Sequence, residues 1–279
     1  MAKKSIILDP DDGLIVSEVG KWAPDKHARV KRYIEIASGV RAGYLPPPSW
    51  HAGASYIELF SGPGRSLIRR TKDFIDGSPI IAYKAAEASG APFTEMHLND
   101  FDPAKSAAVE TRLRTLGGAP ICYSDPAKVA VDKIVAAVKP GGLHFAFLDP
   151  YSLGGLSFDI IRKLATLQRV DMLIHVSVQD LQRNLDDYSR PGDVFDSFAP
   201  GWRSQVDPKQ AINSFRAALM KYWLAEIRKL GTMPAKGVEL IVGSKRQRLY
   251  WLVFVSAHGL AQKLWDAIRD PMKQTTMGF

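Results

Sequence analysis

The stretch that decides the fold reads Tyr56-Ile57-Glu58-Leu59-Phe60-Ser61-Gly62-Pro63-Gly64-Arg65-Ser66. Apolar and aromatic residues fill its first half, as in a buried strand, and Gly-Pro-Gly follows as a turn signal. Glycine adopts backbone conformations that other residues avoid, so its amides can come close to a ligand at such a turn. We therefore predict a strand over Tyr56–Phe60, a ligand-facing turn, and a helix over Arg65–Asp76.

Short apolar runs alternate with helical patterns along the rest of the chain. The further predicted strands are Glu95–Asn99, Ile121–Ser124, His144–Leu148, Met172–Val176, Val238–Val242 and Leu249–Val255, and the further helices are Ala104–Leu116, Ala127–Val138, Phe158–Thr166, Ala211–Leu230 and Leu260–Arg269. Alternating strands and helices pair in parallel, but the link Gly243–Arg248 is too short for a crossover helix. The sequence therefore predicts an α/β fold: a doubly wound, mostly parallel, seven-stranded Rossmann-like sheet that ends in an antiparallel hairpin.

Two changes of composition divide the chain. A basic amphipathic pattern from Lys21 to Val40 predicts a helix, and the proline-rich run Leu45–Gly53 is a connector because proline lacks an amide donor. We expect an N-terminal arm, this helix and the connector in residues 1–53, and the sheet domain in residues 54–279. A polar stretch at about 179–207 is predicted to be an insertion in that domain.

Composition narrows the class of protein. The 279 residues are 46% hydrophobic, which is typical of a folded globular domain. The net charge of +8 favours polyanionic partners. Cys122 is the single cysteine, so the chain forms no internal disulfide and supplies no cysteine cluster for iron–sulfur binding. No run approaches the roughly 20 apolar residues of a membrane span, and we expect a cytoplasmic protein without a membrane or metal site.

Carboxylates follow three successive predicted strands of the sheet. Glu58 lies at the end of the first strand, where an acidic group suits a positively charged ligand. Asp100 is placed to accept from ribose hydroxyls and Asp125 from an adenine amino group. This set favours S-adenosylmethionine as the cofactor, bound by Glu58, Phe60, Ser61, Gly62, Gly64, Asp100, Phe101 and Asp125.

Structural explanations remain open for each of these signals. Gly-Pro-Gly is also an ordinary tight turn, and the aspartates also suit helix caps before Pro103 and Pro126. A dinucleotide is disfavoured because Leu67 stands where its binding motif needs a third glycine.

The fourth predicted strand ends in Asp149-Pro150-Tyr151, and these residues are the catalytic candidates. A carboxylate here can accept a hydrogen bond from an exocyclic amine, and the tyrosine offers a stacking face for a base. Asp-Pro is also a common turn, which is the structural alternative. His27 and His175 are candidate bases, but the position of His175 in a buried apolar strand favours a structural histidine.

Basic residues near the predicted site favour a nucleic-acid partner. The candidate phosphate contacts are Lys26, Arg65, Arg69, Arg183 and Arg203. An ordinary solvated surface, with Trp202 anchoring a loop, explains the same residues equally well.

Together these motifs resemble a known superfamily. Glu-Leu-Phe-Ser-Gly-Pro-Gly at 58–64, Asp100 and Leu-Asp-Pro-Tyr at 148–151 look like motifs I, II and IV of class I S-adenosylmethionine-dependent methyltransferases. With the upstream Trp22…Lys26-His27 helix, the chain resembles more specifically the three-Cys-motif partner proteins of phages and mobile elements. That resemblance implies a methyltransferase-like fold and a separate protein partner with a radical-enzyme-like cysteine motif.

Two functions are therefore expected from the sequence. The first is an S-adenosylmethionine-dependent N-methyltransferase acting on an exocyclic amine of a base in RNA or DNA. The alternative is a non-catalytic methyltransferase-like adaptor that binds the radical-enzyme-like partner or nucleic acid. Cytosine C5 chemistry is excluded because it needs a cysteine nucleophile after a proline, whereas Cys122 follows Ile121.

Overall fold

A computed structural model describes residues 6–46, 52–235, 238–242 and 248–269. The chain divides into two compact units, Met1–Phe147 and Leu148–Phe279. Most of the predicted proline-rich connector, from Pro47 to His51, and the link at 243–247 lie outside the described residues.

The first unit is an α/β layer. Its strands are β1 (Ser17–Val19), β2 (Ala54–Glu58), β3 (Arg65–Ile68), β4 (Phe74–Asp76), β5 (Glu95–Asn99), β6 (Ile121–Tyr123) and β7 (Leu143–Leu148), the last of which reaches the unit boundary. Its helices are α1 (Ala23–Ile36), α2 (Ser38–Ala42), α3 (Ser78–Ala88), α4 (Pro103–Thr115) and α5 (Ala127–Ala137).

The strand order β7-β2-β5-β6 places β2 at the point where the chain reverses direction across the sheet. All three pairings in this order are parallel. The chain runs from β2 to β5 and β6 on one side before it reaches β7 on the other. In open α/β sheets ligands bind beyond the carboxyl ends of the strands at such a reversal.

The second unit contains antiparallel strands and most of the short helices. Its elements are α6 (Phe158–Leu164), β8 (Val170–Ser177), α7 (Val178–Arg183), α8 (Leu185–Tyr188), α9 (Val194–Phe198), α10 (Ile212–Lys229), β9 (Met233–Pro234), β10 (Glu239–Val242), β11 (Arg248–Ser256) and α11 (Gly259–Ile268). β11 pairs in antiparallel fashion with β8, β9 and β10. The predicted fold class, a mostly parallel Rossmann-like sheet with an antiparallel hairpin at its end, is confirmed.

The predicted polar insertion folds as three short α-helices and one 3-10 turn around buried aromatic rings. The rings of Phe195 and Trp202 meet edge to face at 5.8 Å, and that of Phe215 on α10 lies 5.6 Å from Phe195. Trp202 is fully buried, and its indole nitrogen donates to Asp196 at 2.8 Å, so the buried donor has a partner. The domain boundaries predicted from the sequence remain a prediction.

The predicted helix at Arg65–Asp76 is wrong. The segment instead forms the hairpin β3–β4, with β3 also pairing in parallel with β1. Gly77 donates its amide to the Gly64 carbonyl at 2.7 Å, and a Cβ on Gly77 would meet the Gly64 backbone at 3.0 Å. The hairpin is thus an insertion whose two ends meet at the contact between Gly64 and Gly77. The helix expected after the glycine turn is α3, which begins only after this insertion.

Among the described residues, no helix is long and apolar enough to span a membrane.

Candidate functional site

The turn after β2 and the carboxylate after β5 are in direct contact. Gly62 and Gly64 both adopt left-handed backbone conformations, with φ of +60° and +82°. The Gly62 amide donates to Asp100 Oδ2 at 3.1 Å, and Asp100 Oδ1 accepts from the Asp102 amide at 2.9 Å. The Asp100 side chain is 15% exposed, so this carboxylate reaches the surface beside the glycine turn.

Asn99, which the sequence reasoning missed, joins the ends of three strands. Its side-chain amide nitrogen donates to the Leu59 carbonyl at 3.0 Å and the Asp125 carbonyl at 3.1 Å. Its side-chain oxygen accepts from the Asp125 amide at 3.0 Å, and its own carbonyl accepts from Ser61. A buried side chain with donor and acceptor both satisfied fixes the backbone on either side of it.

Glu58 is fully buried at the end of β2. Its carboxylate oxygens accept hydrogen bonds from the Tyr56 hydroxyl at 2.7 Å and the Ser78 hydroxyl at 2.6 Å. Ser78 is the first residue of α3, so Glu58 ties the start of that helix to the strand. A direct contact between Glu58 and a ligand remains a prediction.

The other predicted cofactor residues differ in exposure and in the partners that they contact. Phe101, next to Asp100, is 71% exposed. Asp125 follows β6 and pairs with Lys133 on α5 at 2.7 Å. Ser61 is buried and Phe60 is half-buried. The first unit therefore brings Asp100, Phe101 and Asp125 to the carboxyl ends of neighbouring parallel strands.

The predicted catalytic residues belong to the start of the second unit. Phe147 pairs with Glu58 in the sheet register, and Asp149 follows two residues later in the chain. Pro150 is buried, whereas Tyr151 is 94% exposed. Asp149 Oδ1 lies 3.3 Å from Nδ1 of His175. A histidine that the sequence assigned to the core thus contacts the candidate catalytic carboxylate.

Asp180, also missed by the sequence reasoning, anchors the loop after Tyr151. Its Oδ2 accepts from the Leu153 amide and from the Tyr188 hydroxyl, both at 2.8 Å. Asn184 donates to its other oxygen at 2.9 Å. Burial and the bond to Asp180 raise the pKa of Tyr188 to about 12, so the hydroxyl stays protonated as a donor.

The five predicted phosphate contacts occupy different environments. Arg69 and Arg183 are exposed, but Lys26 is only 7% exposed on α1. Arg203 pairs with Asp196 and covers the Trp202 ring at 4.5 Å. Arg65 bonds to Asp9 at 2.8 Å and also pairs with Asp11 and Asp76.

The N-terminal arm is fastened to the glycine turn by Arg112 of α4. This guanidinium donates to the Pro63 carbonyl at 2.6 Å and to both oxygens of Asp12, at 2.7 and 2.9 Å. The hydrogen bond from Arg112 lowers the pKa of Asp12 below its ordinary value. Pro63 is thereby held from the side of the arm while Gly62 is held by Asp100.

The described residues offer neither a reactive thiolate nor a cluster of metal ligands. Burial raises the pKa of Cys122 to about 12, so its thiol is not a nucleophile near neutral pH. Within the described ranges no cluster of three or more histidine, cysteine or carboxylate side chains could hold a metal ion.

The strand order defines a Rossmann-like α/β fold. The sequence matches no protein-family model and no curated protein. Among solved structures, protein LPL1258 of Legionella pneumophila is similar over 85% of this chain and 89% of its own, with a TM-score of 0.49 at 12% identity.

Two further structures are similar at lower scores. The 23S rRNA methyltransferase ErmE shares 10% identity over 83% of this chain and 68% of its own, with a TM-score of 0.39. An S-adenosylmethionine-dependent methyltransferase from Clostridium acetobutylicum shares 9% identity over 81% of this chain and 91% of its own, with a TM-score of 0.38. None of these similarities carries an argument about activity, so the functional proposal depends on the residues of this chain.

The Asn99 contacts generate a direct test. Asn99→Asp replaces a buried donor, which faces two carbonyl oxygens, by a carboxylate oxygen, and we expect it to lower the free energy of unfolding by about 3 kcal/mol. Urea denaturation followed by circular dichroism measures the change. Asp102→Asn is the matched control, since that exposed cap only accepts a bond, from the Ala104 amide. Equal stability of the two variants would contradict the assigned role of Asn99.

Proposed function

We propose that this protein is an S-adenosylmethionine-dependent N-methyltransferase that acts on an exocyclic amine of a base in RNA or DNA. The contact between the Gly62 amide and the Asp100 carboxylate carries the proposal. It joins a left-handed glycine turn to an acidic strand end at the reversal point of a parallel sheet, which is where nucleoside ligands bind in this architecture.

The residues around the turn fit the nucleoside part of this cofactor. Among the described residues, a Cβ on Gly62 would have only the Ser17 hydroxyl within 4 Å, at 3.9 Å, so there is room beside the turn. Asp100 offers carboxylate oxygens to ribose hydroxyls, and the exposed Phe101 ring offers an apolar face to adenine. Asp125 offers an acceptor for the adenine amino group. When bound, S-adenosylmethionine supplies a methyl group on a positively charged sulfur.

Asp149 is proposed to orient the acceptor nitrogen and take up its proton. Its carboxylate accepts a hydrogen bond from the amine, which directs the nitrogen lone pair toward the methyl carbon. Transfer of the methyl group from S-adenosylmethionine to this nitrogen would leave S-adenosylhomocysteine and a nitrogen with one proton to lose. The nitrogen then releases one proton, which Asp149 accepts and passes to water.

Tyr151 and the β3–β4 hairpin support a nucleic-acid substrate. Tyr151 is 94% exposed and follows Asp149 by two residues, so its ring is available to stack on a base. The hairpin turn presents Arg69, Arg70 and Lys72, all exposed, and no carboxylate pairs with them among the described residues. Unpaired cations on a projecting turn suit a phosphate backbone.

The cofactor site and the catalytic carboxylate can be tested separately by calorimetry and methyl transfer. Asp100→Ala should weaken S-adenosylhomocysteine binding by roughly 10-fold to 100-fold, because each lost bond to a charged group is worth about 1.5–3 kcal/mol. Asp132→Ala removes an exposed carboxylate from the outer side of α5 and should leave binding unchanged. Asp149→Ala should retain binding but lose transfer of labelled methyl to total RNA or genomic DNA.

Each outcome has a distinct meaning. Absence of binding by the unmodified protein at high micromolar concentration contradicts the cofactor proposal. Binding without transfer to RNA, DNA or protein, together with a stable protein complex, favours the adaptor alternative. Label that enters only protein overturns the substrate class.

We expect the basic residues of the β3–β4 turn to make a salt-dependent contribution to substrate binding. Replacing Arg69, Arg70 and Lys72 by alanine should weaken binding to RNA or DNA at least 10-fold and reduce the slope of log K against log salt by roughly 2. The matched control removes the same charge from Arg114, Lys128 and Lys139, which are also exposed. Equal losses in the two triple variants, measured by fluorescence anisotropy, would show a general charge effect and contradict a specific contact.

A further inference from the structure

Arg216 is a buried cation on α10 in the second unit. It is 6% exposed, and no carboxylate among the described residues pairs with it. Its Nη1 donates to Gln182 Oε1 of α7 at 3.0 Å, and its Nη2 donates to Asn213 Oδ1, one turn earlier on α10. Neutral amide oxygens therefore take the place that an anion usually holds beside a buried guanidinium.

A second cation acts on Arg216. Arg248 is exposed at the start of β11, and no described carboxylate pairs with it either. Burial lowers the pKa of Arg216 below its ordinary value, and the positive charge of Arg248 lowers it further. Two guanidinium groups that repel each other raise the free energy of the folded protein, and a bound anion would offset that cost.

Two other buried arginines show how this chain compensates a guanidinium elsewhere. Arg112 pairs with the carboxylate of Asp12. Arg41 is 2% exposed and donates to the backbone carbonyls of Ile34 and Ala91, which belong to buried residues. Removal of Arg41 would leave buried acceptors without a donor, which is the mark of a structural arginine.

The acceptors of Arg216 are of a different kind. Gln182 and Asn213 are both exposed, so water can replace the arginine as their donor. Their exposure also means that the guanidinium lies where a ligand from solvent can reach it. The described residues accept once from Nη1 and once from Nη2, so Nε and the remaining Nη hydrogens are available to a ligand.

We propose that Arg216 and Arg248 form a binding site for a phosphate group of the nucleic-acid substrate. This inference rests on the proposed function. A planar guanidinium matches a phosphate with paired N–H···O bonds, and a second arginine adds the charge that a phosphodiester attracts. The site is separate from the basic turn between β3 and β4, which belongs to the first unit.

Helix α7 connects this site to the loop that follows the catalytic candidates. Gln182 on α7 holds Arg216, and Asp180, two residues earlier on the same helix, holds the Leu153 amide in the loop after Tyr151. A phosphate on Arg216 would therefore belong to a nucleotide near the base that Tyr151 is proposed to stack on.

The first test is thermal denaturation of Arg216→Met, which keeps an unbranched apolar chain and removes the charge. Without phosphate its Tm should equal or exceed that of the unmodified protein, because no buried acceptor loses a donor. Arg41→Met is the comparison for a structural arginine and should lower Tm by roughly 5 °C or more. A similar loss in Arg216→Met, or failure of this variant to fold, would contradict the proposal.

Inorganic phosphate provides a probe that needs no nucleic acid. Added at constant ionic strength, it should raise the Tm of the unmodified protein and leave that of Arg216→Met unchanged. Equal effects of phosphate on the two proteins would overturn the assignment of Arg216 as an anion site.

The second test measures binding of a single-stranded RNA and a single-stranded DNA by fluorescence anisotropy. Arg216→Met should weaken the tighter of the two complexes by roughly 10-fold to 100-fold and reduce the slope of log K against log salt by roughly 1. Arg248→Met, at an exposed position, should weaken it by roughly 3-fold. Arg228→Met removes an exposed arginine from the same helix, α10, and is the matched control with unchanged affinity.

Methylphosphonate substitution locates the contact within the nucleic acid. Each phosphate of the tighter-binding oligonucleotide is replaced in turn by an uncharged methylphosphonate. One position should weaken binding to the unmodified protein and have no further effect in Arg216→Met, as expected for two partners of one contact. Equal losses at every position in the two proteins would contradict the proposal.

The outcomes separate this inference from the proposed function. If Arg216 mediates stabilisation by inorganic phosphate but Arg216→Met binds the oligonucleotides normally, the site takes a small phosphate-bearing ligand and the nucleic-acid assignment is wrong. An unmodified protein that binds neither oligonucleotide overturns that assignment as well. If the phosphate contact is found but methyl transfer is absent, the proposed function fails and this site stands.

Discussion

The candidate site depends on hydrogen bonds that connect the ends of neighbouring parallel strands. Each strand of such a sheet ends with backbone groups that have no partner in the sheet, and these groups need other donors and acceptors. Asp100 supplies an acceptor for Gly62, while Asn99 satisfies groups of Leu59 and Asp125. The same contacts hold the glycine turn in its left-handed conformation, so stability of the strand ends and shape of the site have one origin.

The β3–β4 hairpin is inserted between β2 and α3, where in a simple strand–turn–helix unit the helix would follow the glycine turn directly. The contact between Gly64 and Gly77 closes the base of the hairpin, and a Cβ on Gly77 would meet the Gly64 backbone at 3.0 Å, so the two segments would have to move slightly apart. Ser78 then reaches Glu58, so the helix begins against the strand despite the insertion. The inserted hairpin carries an exposed basic turn in the segment that follows the glycine turn of the proposed cofactor site.

The sequence predicts the strands and the order of the strand-end carboxylates because both are local signals. Buried apolar runs such as Leu143–Leu148 identify strands, and parallel pairing brings their ends to one edge. The hairpin could not be predicted, because Arg65–Ile68 is short and its strand conformation comes from pairing with β1, which is distant in sequence. Gly77 before Ser78-Pro79 was the available signal for the true start of α3.

Side-chain roles that depend on distant partners were also hidden. Arg65 resembles a free surface cation in the sequence. In the structure it bonds to Asp9 and Asp11, which the sequence could not indicate because they are more than fifty residues away in the chain. Lys26 likewise lies on the buried side of α1 although it follows a basic pattern. His175 looked like a core residue from its apolar neighbours, and only the structure shows Asp149 beside it.

A crystal structure with S-adenosylhomocysteine tests the central claim most directly. We expect the ribose hydroxyls on Asp100, the adenine ring against Phe101 and the amino-acid part of the ligand beside Gly62. Ligand bound elsewhere, with Asp100 making no contact to the ribose, would contradict the assignment of this sheet edge as a nucleoside site.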